Sequence, residues 1–209
     1  MARFLVVFDV DSTLIEDEAI DLLAERAGTR ELVSDITERA MRGELDFASS
    51  LIERVATLKG LPEAVLAETA GKLRPTKGAA ELISEIQRRS GFAAAVSGGF
   101  TQLLDPLQAT LKLDAVLANS LKVQDGKLTG EVFGSIVDRT TKAEYLKKLA
   151  SELGVRSDLT IAVGDGANDI DLVRSAGLGI AFCAKPKLRE VADISLETRD
   201  LSQLIGVLP

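Results

Sequence analysis

With 209 residues, 46% of them hydrophobic and 27% charged, the chain can bury one sizeable core with a smaller module attached. Its formal charge of −7 argues against a nonspecific grip on nucleic acid or an anionic membrane. One cysteine and no histidine exclude an intrachain disulfide, a multi-cysteine zinc site and every mechanism that depends on an imidazole.

The chain opens with Phe4-Leu5-Val6-Val7-Phe8, an unbroken apolar run that predicts a strand covered on both faces, and it ends in Asp9 and Asp11. Residues two apart on a strand point to the same side, so the two carboxylates are expected within a few ångströms of one another, a costly arrangement without a positive partner. Helical periodicity follows at 17–27, 30–42, 47–58 and 62–71, with Thr29 and Asp46 at N-caps, Pro62 at a first helical position and glycines just past the ends. Four consecutive helices do not make one βαβ crossover and predict a small helical module inserted after the first strand. From Lys77 onward helices and strands alternate: a helix near 77–89, the strand FAAAVS, a helix interrupted by Pro106, the strand AVLAN, and a hairpin about Asp125-Gly126. Next come a helix near 140–153, the strand LTIAVG, a helix from about 168, the strand LGIAF, and a short helix, strand and helix. The predicted fold is α/β, a doubly wound parallel sheet whose ligands sit beyond the carboxyl ends of the strands.

Three strand ends carry the chemistry. Asp9 and Asp11 follow the first, Ser97-Gly98-Gly99 the second, and Gly164-Asp165-Gly166-Ala167-Asn168-Asp169 a third. Carboxylates without His or Cys ligands favour Mg²⁺. Ser97, with the backbone N–H groups that follow it at a helix start, makes an anion site, and Lys142 in the first turn of a helix adds a cation. Together these parts describe phosphoryl transfer: Asp9 as carboxylate nucleophile forming an aspartyl-phosphate, and Asp11 as the acid that protonates the leaving alkoxide and then the base that activates water. A neighbouring carboxylate is expected to raise the pKa of Asp11.

The motifs DVDST, VSGG, Lys142 and GDGANDIDL, in that order, resemble those of the haloacid dehalogenase (HAD) superfamily of phosphatases. Within it, STLIEDEAIDLLAERAG, DFASSLIERVATLKGL, LKVQDGKLTG and GLGIAFCAKPKLREVADI resemble the branch that acts on phosphoserine. The resemblance implies a HAD-like Rossmannoid core (1–14 and 75–209) and a helical-bundle cap (15–74). It implies Mg²⁺ held by Asp9, Asp165 and the main-chain carbonyl of Asp11 with Asp169 behind them, and phosphate held by Ser97, Gly98, Lys142 and Asn168. It further implies Glu18 for the substrate ammonium, Arg54 for its carboxylate, and Met41 and Phe47 closing over it. The expected reaction is hydrolysis of O-phospho-L-serine to serine and phosphate, the last step of serine biosynthesis, by a cytoplasmic monomer or homodimer with no nucleic-acid or membrane partner. The rival readings are a cap-bearing phosphatase for phosphohomoserine or a sugar phosphate, a receiver-like phospho-Asp domain, and a phosphate-binding protein without turnover.

Overall fold

The first apolar run becomes β1 (Leu5–Phe8), every residue of it buried. The computed structural model describes residues 2–209, the Met41 side chain apart. Among them the other strands are β2 (Phe92–Phe100), β3 (Ala115–Gln124), β4 (Lys127–Phe133), β5 (Thr160–Gly164), β6 (Leu178–Phe182) and β7 (Ile194–Leu196). They form one sheet in the order β4-β3-β2-β1-β5-β6-β7, parallel except for the β3–β4 hairpin. Both hairpin turn residues, Asp125 (φ 51°) and Gly126 (φ 69°), take the left-handed conformation that a two-residue turn demands. β1 is flanked by β2 on one side and β5 on the other, so the winding reverses at β1 and a crevice opens beyond its carboxyl end.

Both faces of β1 are covered, as a continuous apolar strand requires. Phe4, Val6 and Phe8 pack with α5 (Ala79–Arg88) and α6 (Thr101–Leu111), whereas Leu5 and Val7 pack with α7 (Arg139–Leu153) and α8 (Ile170–Ser175). The short α9 (Pro186–Arg189) adds Leu188 to the second cluster.

Between β1 and α5 lie α1 (Ala19–Ala27), α2 (Arg30–Met41), α3 (Phe47–Ala56) and α4 (Ala64–Ala70), the four consecutive helices that periodicity predicts. The two chain passages that lead to and from them run side by side. Ile15 bridges Pro75, Glu16 N–H donates to Arg74 C=O at 2.9 Å, and Asp17 accepts from the Arg74 backbone N–H at 2.8 Å and its Nη2 at 2.7 Å.

Several local expectations are corrected. Pro62 is not a first helical residue: α4 starts at Ala64, and Pro62 bridges Lys127, with Gly60 N–H donating to Leu128 C=O and Leu128 N–H to Leu61 C=O, so pairing to the hairpin overrides the local helix signal. Asp46 caps α3 by accepting from Ser49 N–H at 2.7 Å. Thr29 precedes α2 without a side-chain cap bond, its hydroxyl lying 3.3 Å from that of Thr57. Pro106 does not interrupt its helix. The residue whose carbonyl it deprives of a partner is Gln102 in the first turn, and burial of Leu103, Leu104, Leu107 and Leu111, roughly 1.5–3 kcal/mol each, outweighs the ~3 kcal/mol cost of an interior proline. The helix expected from 168 begins as a tight 3-10 turn, Ala167–Asp169, before α8.

Candidate active site

Asp9 directly follows β1, and its N–H donates to Val163 C=O at 2.8 Å, which extends the β1–β5 ladder one residue to the rim. Its carboxylate is buried and meets Lys142, whose Nζ lies 2.5 Å from Asp9 Oδ1 and 2.7 Å from Asp169 Oδ1. Lys142 is only 1% exposed. An ammonium is tolerated at that depth only when paired and hydrogen-bonded, as this one is twice over. It reaches the rim because α7 starts there: Asp138 caps the helix by accepting from Thr141 N–H at 2.8 Å, and Lys142 sits in the first turn.

Asp169 is equally fixed. Its Oδ2 accepts from the N–H groups of Gly166 (3.1 Å) and Asp165 (3.2 Å), folding the GDGAND loop around its carboxylate. Gly164 makes this packing possible, since a Cβ there would stand 2.6 Å from Asp169 Cβ and Cγ.

Carboxylate oxygens of Asp9, Asp165 and Asp169 all lie within 4.8 Å of one another. Three carboxylates against one ammonium leave the cluster two negative charges in excess, and its donors are all hard oxygens; both facts suit a small divalent cation. Burial first, and then the Asp169 charge, pushes Asp9 well above the usual carboxylate range and Asp165 up to about 6. Burial alone would lower Lys142, but Asp169 and Asp9 outweigh it and hold the ammonium above its ordinary value.

Asp11 arrives by a different route from the one strand alternation predicts. β1 ends at Phe8, and Val10–Leu14 form a wide turn closed by Ile15 N–H on Val10 C=O at 3.0 Å, with Asp11 extended and Ser12 left-handed at φ 56°. The turn directs Asp11 away from the metal-type cluster, which contains Asp9 but not Asp11. Asp11 Oδ1 accepts from Ala19 N–H at 2.9 Å, the first residue of α1, and Oδ2 faces the Ser97 hydroxyl at 3.4 Å. Burial first and Glu18 second push Asp11 up to about 7, so the neighbouring carboxylate that raises it is Glu18.

Ser97 is fully buried, and its Oγ accepts from Gly99 N–H at 2.8 Å. The loop is not at a helix start as expected: residues 97–99 belong to the irregular end of β2, and α6 begins at Thr101. Phe47, first residue of α3, lies over this loop, since a methyl group on Gly98 would come 2.8 Å from Phe47 Cζ. Met41 ends α2, and its side chain lies outside the described residues. Asn168 stands in the 3-10 turn beside Asp169.

Glu18 is the residue before α1, and its Oε1 accepts from Ser12 Oγ at 2.7 Å. The half-buried Arg54 donates from Nε to Ser50 C=O at 3.3 Å, and among the described residues no carboxylate is ion-paired with it. Burial lowers its pKa, and the charges of Glu18, Asp21 and Asp11 oppose that shift, which places the guanidinium within their reach. A desolvated arginine left unpaired beside a carboxylate is suited to a ligand with both an anionic and a cationic group.

The haloacid dehalogenase-like hydrolase family profile matches residues 6–174. The chain belongs to that family. As a haloacid dehalogenase-like hydrolase it is 53% identical over 204 residues to "Phosphoserine phosphatase SerB2" of Mycobacterium tuberculosis, covering 98% of this chain and 50% of that protein. It is 49% identical to the phosphoserine phosphatase of Streptococcus thermophilus, covering 98% of this chain and 95% of the relative. The chain thus spans half the length of the first relative and nearly all of the second. Among solved structures it resembles a "phospho-aspartyl intermediate analogue of phosphoserine phosphatase", at TM-score 0.93 and 45% identity with 100% of both chains covered. A substrate-bound phosphoserine phosphatase complex matches at TM-score 0.93 and 44% identity, again with 100% of both chains covered.

Sequence reasoning missed two supports of this hydrolase's site. One is the N-terminal N–H of α1 that holds Asp11, and the other is the Ser12 hydroxyl that holds Glu18. A carboxylate eight residues before the first residue of an apolar-periodic helix is a usable signal for the first. The second depends on a serine in the left-handed region, which nothing local announces.

Proposed function

We propose that the chain is a Mg²⁺-dependent phosphatase that hydrolyses O-phospho-L-serine through an aspartyl-phosphate. The observation that carries this reading is the pairing of two adjacent charge sets: the Asp9–Lys142–Asp169–Asp165 cluster, fitted to a phosphate and a divalent cation, and Arg54 with Glu18, fitted to a zwitterion. Nearly full-length relatives at 46–49% identity named phosphoserine phosphatase support the same substrate.

Asp9, Asp165 and the Asp11 main-chain carbonyl would hold the metal, with Asp169 behind them. When bound, Mg²⁺ supplies the positive charge that the cluster lacks and offsets charge on the phosphoryl oxygens. Lys142 and Ser97 hold the phosphate, with Gly98 and Asn168 completing its cradle. The Asp9 carboxylate attacks phosphorus, the ester P–O bond breaks, and Asp11, protonated near neutral pH, gives its proton to the departing serine oxygen. Asp11 then takes a proton from water, which attacks phosphorus; the bond to Asp9 breaks and phosphate leaves. Residues 15–74 act as the cap, with Phe47 and Met41 excluding water, over a catalytic core of 1–14 and 75–209. Among the described residues no helix is long and apolar enough to cross a membrane, consistent with a cytoplasmic enzyme of serine biosynthesis acting on a small molecule, as monomer or homodimer.

Phosphate release from L-phosphoserine, with Mg²⁺ and with chelator, tests the activity. Charge reversal at Glu18 or Arg54 tests the substrate: Glu18→Lys and Arg54→Glu are expected to raise KM for phosphoserine by roughly 10- to 100-fold, in line with one lost charge-assisted contact, while sparing an aryl phosphate. Equal losses on both substrates would favour another phosphomonoester.

The metal reading has a readout that does not involve turnover. Asp165 and Asp11 rise from 3.8 to about 6 and about 7 on folding, so the folded chain binds protons more tightly than the unfolded one. Stability from these groups is fully present below 3.8 and is lost progressively as pH rises from there through about 6 and about 7. Metal-free protein is therefore expected to melt lower at about pH 8 than at about pH 5.5, and Mg²⁺ to raise the melting temperature more at the higher pH, where its ligands are ionised. A Mg²⁺ effect that is absent, or larger in acid, would rule the cluster out as a metal site.

A further inference from the structure

β2 and β3 are in register as far as Val96 opposite Leu117, and resume only at Phe100 opposite Asn119. Three residues, Ser97, Gly98 and Gly99, therefore face a single residue of β3, and the bulge lifts them out of the ladder. A carbonyl lifted from a ladder inside a protein needs another donor. Asn119, wholly buried, supplies it: its Nδ2 donates to Gly98 C=O at 2.9 Å. The other end of the same amide, Oδ1, accepts from Val137 N–H at 2.8 Å. Val137 directly precedes Asp138, the cap of α7, and Lys142 lies in the first turn of that helix. One planar amide thus ties the Ser97-Gly98 loop to the segment that presents Lys142, two groups contributed by stretches 45 residues apart in the chain.

We propose that Asn119 is a positioning residue that sets the distance between the Ser97-Gly98 loop and Lys142 across the phosphate site. The assignment rests on the phosphatase reading above. No aspartate, longer amide or apolar residue reproduces it, because the site needs a donor toward Gly98 and an acceptor toward Val137 from one rigid group.

The test compares Asn119→Ala, Asn119→Ser and Leu121→Ala with the wild type in the full chain with Mg²⁺. Leu121 is a buried residue of the same strand, part of the main apolar cluster, and its truncation weakens packing while leaving the hydrogen bonds of the Asn119 amide in place. The measured quantities are kcat and KM for phosphoserine and for an aryl phosphate, the competitive inhibition constant of inorganic phosphate, and the melting temperature. Asn119→Ala is expected to lower kcat/KM roughly 10- to 100-fold, equally for both substrates, and to weaken phosphate inhibition, as misplacement of binding groups by about an ångström does. Asn119→Ser leaves room for a water to satisfy the two orphaned groups, so it serves as the folded variant if the alanine form is unstable, and the same direction is expected. Leu121→Ala should lower the melting temperature and leave phosphate inhibition unchanged. Phosphate inhibition within twofold of wild type in either folded Asn119 variant, or weakened as much by Leu121→Ala, overturns the assignment. Wild type that releases phosphate from neither substrate overturns instead the reading on which it rests.

Discussion

Asp9→Asn is expected to abolish phosphate release, with kcat lower by about 10⁴ or more, the scale seen when a covalent catalyst loses its nucleophile. The amide has the same shape but no charge with which to attack phosphorus. The substitution should not unfold the protein. Burial and the Asp169 charge already disfavour the ionised form of Asp9, so neutralising it removes a cost that the metal-free fold bears above the usual carboxylate range. The melting temperature of metal-free Asp9→Asn at about pH 8 is therefore expected to equal or exceed that of the wild type, while its gain on adding Mg²⁺ shrinks. Loss of activity in a folded protein separates chemistry from stability. Turnover within about tenfold of wild type would exclude Asp9 as nucleophile. Asp11→Asn should behave differently, since its neutral amide can neither protonate the leaving serine nor activate water: with an aryl phosphate, whose leaving group needs no acid, phosphoenzyme on Asp9 is expected to accumulate and to appear as a mass increase in the intact chain.

The parts of this site that were legible in the sequence are those encoded locally. An apolar run covered on both faces becomes β1 because five consecutive large side chains leave no face for water, and alternation then assigns Val6 and Phe8 to one helix layer and Leu5 and Val7 to the other. Strand ends bring Asp9, Ser97 and Asp165 to one rim because parallel strands share a direction. What was not legible depends on contacts made across the chain or on backbone states without a residue signature. Asp11 lies where a left-handed serine sends it, and serine is seldom left-handed. Pro62 reads as a helix start until the hairpin tip at Gly126 and Leu128 pairs with its neighbours. Asn119 reads as the polar end of a strand; its role depends on a bulge in β2 and on a loop at Val137, and neither can be inferred from the residues beside it.

The same distinction bears on Lys142. By spacing alone it is one helix lysine among many, and most of those are solvated; its burial and its two carboxylate partners make it unlike them. Lys142→Met is expected to remove activity and to cost about 3–5 kcal/mol of stability, the usual consequence of taking one member from a buried ionic group and leaving the others uncompensated. For a chain of this size that corresponds to a fall in melting temperature of roughly 6–20 °C. The sign of its pH dependence follows from the carboxylates left behind. Burial and the Asp169 charge already raise Asp9 above the usual carboxylate range, and loss of the ammonium removes what opposes that rise, so the deficit is largest in alkali and narrows on acidification. Mg²⁺ should recover part of the stability, because it answers the same excess of negative charge, but not the activity, because the phosphate loses a fixed donor. Lys142→Arg is expected to fail as well, since the cavity holds an ammonium at 2.5 and 2.7 Å from its partners and a planar guanidinium needs more room. A Lys142→Met protein that melts within a few degrees of wild type at about pH 8 would show that the ammonium does not balance the cluster, and with it the charge argument for a divalent cation would lose its basis.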